Sequence, residues 1–232
     1  MVKSIPIIIC FGISVIAAAQ NAKIAKNKNR NYEWPAYGRD AGGSRYAEVN
    51  QINVANVSKL KVAWTYRTGE LKTYEGTEAI KKAAFEATPI MIGQTLYFST
   101  PSCRAMAVDA ATGLEKWVFD PKVNLKNDIS EITSRGVSSW TGKTSNNETG
   151  IRIFIGTIDG RLIAIDAKTG RIIPSFGKDG SVDLKEGFGS AISVTSPPAI
   201  SGNLGVIALA LRDNQRVDLP RCTVRAFDGF SV

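Results

Sequence analysis

The run Ala107-Val108-Asp109-Ala110-Ala111-Thr112-Gly113 returns 57 positions later (107 to 164) as Ala164-Ile165-Asp166-Ala167-Lys168-Thr169-Gly170, and a third copy opens as Val224-Arg225-Ala226-Phe227-Asp228. Self-similarity at a fixed period of this size confines the chain to repeat architectures, in which each unit buries its faces against its neighbours. Each complete copy ends a strand-like run with an aspartate, whose carboxylate can cap the amides of a turn. Each also supplies a glycine where the backbone must reverse with positive φ. The unit is therefore strand, turn, strand. After the first copy, Glu115-Lys116-Trp117-Val118-Phe119 predicts an outer strand whose large aromatic can wedge against the next unit. The second copy has Pro174 at the corresponding place, which predicts a weaker last strand or an edge.

From Trp34 onward, short β-branched and aromatic runs alternate with Gly and Asn turns, without sustained helical spacing. Ile90-Met91-Ile92, Gly93-Gln94 and Thr95-Leu96-Tyr97-Phe98 make one hairpin signal. Ile153-Phe154-Ile155, Asp159-Gly160 and Leu162-Ile163-Ala164-Ile165 make another. The expected fold is all-β. Four strands per ~40 to 60 residues is the dimension of a propeller blade, and a ring typically needs about four to eight blades. About three blades are expected here, so the ring is expected to be incomplete. Gly229-Phe230-Ser231-Val232 departs from the repeat, which predicts a foreign tail of the kind a frameshift or fragmentary reading frame leaves.

The chain opens with Lys3, an apolar run from Ile5 to Ala19 and the small residues Ala17-Ala18-Ala19. Residues 1–19 are read as a secretory signal peptide, since the run is shorter than the ~20 apolar residues that cross a bilayer. The alternative is an uncleaved anchor. Residues 20–32 are basic and Asn-rich, and they read as a solvated linker before a domain at 33–228. The net charge of +8 would suit nucleic acid, but no stacking aromatics interleave with the basic tail, so no nucleic-acid partner is expected. Cys103 and Cys222 lie far apart in sequence, and spacing does not decide whether they meet. The chain contains no His, which excludes a His-ligated zinc, a His-based triad and a c-type haem within it.

Five segments carry a family resemblance. They are Trp34-Pro35-Ala36-Tyr37-Gly38-Arg39 with Arg45-Tyr46; Gln51-Ile52-Asn53 and Leu60-Lys61-Val62-Ala63-Trp64-Thr65-Tyr66-Arg67-Thr68-Gly69; Glu86-Ala87-Thr88-Pro89; Arg135-Gly136-Val137-Ser138-Ser139-Trp140; and Thr195-Ser196-Pro197-Pro198 with Asp213-Asn214 and Arg225-Ala226-Phe227-Asp228. Together they resemble the quinoprotein dehydrogenases, closest to the glucose dehydrogenase branch and its quinate-type relatives.

The resemblance implies an eight-bladed propeller holding pyrroloquinoline quinone (PQQ) near its axis, with calcium or magnesium. It implies cofactor binding by Glu86, Arg135 and Thr195, and a metal ligand at Asp213. PQQ is a flat tricarboxylate, and a planar guanidinium fork suits its carboxylates. Ala208-Leu209-Ala210-Leu211-Arg212, before Asp213, departs from the small polar residues usual in the family. Ser134 stands where alcohol-type relatives carry adjacent cysteines, which favours a sugar or polyol substrate. The implied protein is periplasmic or secreted, without a membrane span after signal cleavage, and passes electrons to a quinone or cytochrome. The catalytic Asp of the family falls in later blades, so this chain is expected to be inactive alone. The rival reading is a non-catalytic propeller-repeat scaffold of the outer-membrane assembly type, which shares the Asp-x-x-Thr-Gly turn and Trp. A third is an inactive remnant that barely folds.

Overall fold

A computed structural model describes residues 33–125, 129, 131–144, 147–186, 192–211 and 223–228. The residues expected to form the signal peptide and linker, and those of the expected tail, lie outside this set. The first sheet follows a short strand β1 (Ala83–Ala84) and consists of β2 (Ile90–Ile92), β3 (Thr95–Ser99), β4 (Ala105–Asp109) and β5 (Glu115–Phe119), antiparallel and in sequence order. The second follows β6 (Ile132–Thr133) and consists of β7 (Ser138–Lys143), β8 (Thr149–Gly156), β9 (Arg161–Asp166) and β10 (Ser181–Asp183). In the third region β11 (Ile192–Ser193) precedes β12 (Ala199–Ser201) and β13 (Leu204–Ala208). The short β14 (Ala210–Leu211) pairs back on β11, and β15 (Val224–Asp228) pairs with β13. These are the blades of an open propeller. Among the described residues, helix is limited to single turns at Val57–Lys59, Glu70–Thr73 and Ala79–Lys82.

Both faces of the second sheet are buried, and this explains its continuous apolar strands. Successive side chains of a strand point to opposite faces. Ile153, Ile155, Ile163 and Ile165 accordingly pack with Tyr97, Ala105, Ala107 and Trp117 of the first sheet. Phe154, Leu162 and Ala164 join Ile192, Val194, Ile207 and Leu209 of the third region.

The repeated turn works as its sequence predicts. Asp109 Oδ1 accepts hydrogen bonds from the Ala111 and Thr112 amides at 3.1 and 3.0 Å and from Thr112 Oγ1 at 3.0 Å. Asp166 Oδ1 does the same with Lys168, Thr169 and Thr169 Oγ1 at 3.1, 2.7 and 2.7 Å. The bonds from Thr112 hold the Asp109 carboxyl below its usual range. The glycine ending each turn has φ of +70°, and an indole lies flat against it: Trp64 on Gly113, Trp117 on Gly170. A Cβ on Gly170 would stand 2.6 Å from the Trp117 ring, so this glycine serves close approach as well as reversal. Pro174 displaces the outer strand of the second sheet rather than abolishing it. That strand forms at β10, after a detour through Gly177 and Gly180, both at positive φ.

A buried polar knot holds the Glu70 turn against the first sheet. Glu70 Oε1 accepts from Tyr74 Oη at 2.6 Å and the Ser102 amide at 2.8 Å, while Oε2 accepts from Ser102 Oγ at 3.1 Å. Burial, reinforced by the Glu70 bond, raises the Tyr74 phenol well above its ordinary value. Burial likewise lifts the neighbouring Cys103 thiol to about 12 and Tyr66 to about 12. All three groups lose a proton more readily in the unfolded chain. Their contribution is full below the unfolded values near 9 to 10 and is lost as pH rises from there toward 12. The melting temperature is therefore expected to fall steeply above about pH 9, and less steeply in a Tyr74→Phe, Cys103→Ala double variant. A flat profile across that range would refute this assignment.

Candidate functional site

Three short segments lead into the innermost strands of the three sheets: Glu86-Ala87-Thr88-Pro89 before β2, Arg135-Gly136-Val137 before β7, and Thr195-Ser196-Pro197-Pro198 before β12. They lie side by side. β1 pairs in parallel with β6, Ala83 facing Ile132 and Ala84 facing Thr133. The Thr88 amide donates to Arg135 O at 3.1 Å, and the Arg135 amide donates to Thr195 O at 2.7 Å. Ser138 Oγ continues the link by donating to Pro198 O. Gly136 has φ of +135°, and a Cβ there would come within 2.9 Å of Thr88 O, so only glycine lets these segments approach.

The ladder brings the sequence-predicted residues onto a single guanidinium. Arg135 Nε contacts Glu86 Oε2 at 3.0 Å, Nη1 donates to Thr195 Oγ1 at 2.6 Å, and Nη2 donates to Glu131 Oε1 at 3.4 Å. Glu86, Arg135 and Thr195 thus form one cluster. The arginine side chain is 39% exposed and Glu86 41%, so the cluster is held in place yet open on one side. Its open side faces a cavity of about 870 Å³, also lined by Tyr37, Ser139 and Ser196. That volume falls in the range of roughly 300–1,000 Å³ common for small-molecule sites.

The far wall is the segment after Trp34. Trp34 bridges Met91 of β2 through two backbone bonds of 2.8 Å, and Ser139 Oγ donates to Pro35 O at 3.0 Å. The chain then turns through Arg39, whose φ is +72°. Arg39 lines the cavity, and its Nε is buried without a hydrogen-bond partner. A buried donor of this kind calls for an acceptor.

Two residues of the site carry no repeat signal. Glu131 is identified only by its contact with Arg135, while Arg39, which ends the first of the resemblance segments, is drawn to the site only by its orphaned nitrogen. Ser134, beside the cluster, is buried and donates from Oγ to Ser99 Oγ at 2.8 Å. Asp213, the expected metal ligand, lies outside the described residues, as does Cys222. Among the described residues no three His, Cys, Asp or Glu side chains gather as a metal site would require.

Successive antiparallel blades, with a partly exposed arginine, two glutamates and hydroxyl groups gathered where their inner strands begin, define a propeller protein with a polar cavity at that end of its blades. Residues 34–231 match the family model described as PQQ: Glucose/ethanol/alcohol dehydrogenase, beta-propeller domain, and the chain belongs to that family. It is 37% identical over 213 residues to quinoprotein glucose dehydrogenase A of Acinetobacter calcoaceticus, covering 84% of this chain and 26% of that protein. It is 33% identical over 229 residues to the glycerol dehydrogenase large subunit of Gluconobacter thailandicus, covering 94% and 29%. Among solved structures, quinohemoprotein alcohol dehydrogenase from Comamonas testosteroni superposes with a TM-score of 0.68 at 27% identity, over 92% of this chain and 28% of that one. The chain thus spans between a quarter and a third of the length of these relatives.

Proposed function

We propose that this chain supplies one wall of a PQQ site, in a periplasmic or secreted dehydrogenase that oxidises a sugar, polyol or similar alcohol and passes the electrons to a quinone or cytochrome acceptor. The observation that carries this reading is the convergence of Glu86 and Thr195 on the Arg135 guanidinium, open to the cavity. The donor set suits a flat tricarboxylate. Arg135 offers a planar fork to one carboxylate, Glu86 and Glu131 hold that fork in orientation, and Thr195 Oγ steadies its Nη1 edge. The Arg39 Nε, buried beside the same cavity, still needs an acceptor. When bound, the quinone would supply the electron-accepting group to which hydride from an alcohol carbon is delivered. The wall formed by residues 35–41 would shield the site from bulk water. Calcium or magnesium is proposed as the accompanying cation, with Asp213 as one oxygen ligand.

No general base is assigned to this chain, and its three blades do not close a ring. Alone, it is expected to bind the quinone and not to turn over. The test has two arms. Titrating PQQ against the chain should quench tryptophan fluorescence saturably, and adding glucose or glycerol with calcium or magnesium should produce no dye reduction. Robust turnover overturns the second expectation. Absence of saturable binding overturns the first and supports a scaffold role for the repeats instead.

A further inference from the structure

Two cations line the main cavity, and they differ in how far their donors are taken up. Arg135 is engaged by Glu86, Thr195 and Glu131. Arg39, on the far wall, has a buried Nε without a hydrogen-bond partner, and a buried donor left so is costly. The carboxylates around it are committed elsewhere. Asp40 Oδ1 accepts from the Ser44 amide at 3.0 Å and Oδ2 from Ser44 Oγ at 2.5 Å, bonds that hold its carboxyl below the ordinary range. Arg39 also borders a smaller cavity of about 590 Å³ lined by Glu33, Ile92 and Ile151, and there Glu33 Oε1 accepts from the Gly93 amide at 3.2 Å. Glu86, the remaining carboxylate of the main cavity, faces Arg135.

The loop that carries Arg39 is braced from within. The Arg39 amide donates to Ala36 O at 2.9 Å, the Gly43 amide to Asp40 O at 3.0 Å and the Arg45 amide to Gly38 O at 3.1 Å. A Cβ on Gly38 would stand 2.6 Å from the Gly43 Cα, so the two limbs of the loop meet backbone to backbone. Arg45 Nη2 donates to Tyr37 Oη at 2.7 Å, and its guanidinium carbon lies 4.9 Å from the centre of the Tyr37 ring. The base of the loop is fastened to β2 through Trp34 and to β7 through Ser139. Arg39 itself is held at a φ of +72°, a conformation uncommon outside glycine. Strain kept at the edge of a cavity, in a loop so firmly tied, points to a contact that the loop itself does not make.

We propose that Arg39 binds a second carboxylate of the quinone, so that the tricarboxylate is held between two guanidinium groups, Arg135 on one wall of the cavity and Arg39 on the other. The inference rests on the reading of the cavity as a PQQ site and adds a binding residue to it. A guanidinium presents Nε and one Nη along an edge that matches the two oxygens of a carboxylate. In Arg135 the Nε is already paired with Glu86, whereas in Arg39 it is unpaired and buried. A bond made there is shielded from water and correspondingly strong. A ligand with one carboxylate satisfies one wall; a flat molecule carrying several satisfies both.

The test titrates the full chain with PQQ and with its trimethyl ester, which keeps the ring system and lacks the carboxylate charges, and reads tryptophan fluorescence. Arg39→Met should weaken PQQ binding about tenfold and leave binding of the ester unchanged. Because the substitution removes an unpaired buried donor, it should not lower the melting temperature of the ligand-free chain. Undiminished PQQ affinity in Arg39→Met, an equal loss for acid and ester, or a ligand-free melting temperature lowered by several degrees would overturn the proposal. The last two outcomes would make Arg39 a structural residue of its loop. In each of these cases the quinone reading still stands if quenching by PQQ is saturable in the unaltered chain and lost in Arg135→Ala. No saturable quenching in the unaltered chain would remove that reading and this proposal together.

Discussion

Trp117→Ala is expected to cost about 3–5 kcal/mol, which is a large part of the roughly 5–15 kcal/mol that holds a typical domain folded. Trp117 is 8% exposed and lies in the seam between the first two sheets. Its ring sits 5.9 Å from that of Tyr97 and against Gly170, and its Nε1 closes on Ala167 O. Truncation removes the ring and leaves a carbonyl unpaired, and the turn glycine cannot collapse into the gap because it carries no side chain. The urea midpoint should fall correspondingly, and with it the cooperativity between the two sheets. Gly170→Ala approaches the same seam from the other side, since its φ is +70° and the new Cβ would press on the indole. In a double-mutant cycle the two losses should be well short of additive, because each removes the same contact. Strict additivity would mean that the indole and the turn do not act as one joint.

Arg135→Ala is expected to weaken PQQ binding about 100-fold while leaving the chain folded. Charge-assisted hydrogen bonds contribute about 1.5–3 kcal/mol each, and about 1.4 kcal/mol is a factor of ten, so losing the fork is worth at least that much. Glu86, which lines the cavity, would also be left without its cation, as would Glu131, and would repel an anionic ligand. Arg135→Lys keeps the charge without the planar fork, and a loss of about tenfold is expected. The fold should survive both changes. The residue is anchored by its backbone bonds to Thr88 and Thr195, and its side chain is partly exposed. Binding by fluorescence quenching and stability by thermal melting separate the two effects. Unchanged affinity in a folded Arg135→Ala chain would remove this residue from the site.

Where sequence and structure diverge, the cause is local detail overridden by packing. Pro174 predicts a weaker last strand or an edge because proline donates no ladder bond, and the outer strand of the second sheet is indeed the three-residue edge strand β10. What the sequence does not show is the detour that carries the chain past Pro174 to β10, where Val182 packs beside Phe176 and Leu184 in the second core. The one-turn helices are too short to leave a period in the sequence. Glu131 and Arg39 could not have been selected from their neighbours, since a charged residue on a loop is ordinarily a solvated one.

The repeat spacing, the aspartate-capped turns, the glycines and the apolar runs were all determined by the sequence alone, because each rests on interactions within a few residues or on strand alternation. These were enough to specify blades. Bringing Glu86, Arg135 and Thr195 onto one guanidinium was decided only in three dimensions. Those residues lie in different blades, and it is the stacking of sheets, through Trp117 on Gly170 and the close passage at Gly136, that aligns the segments they occupy.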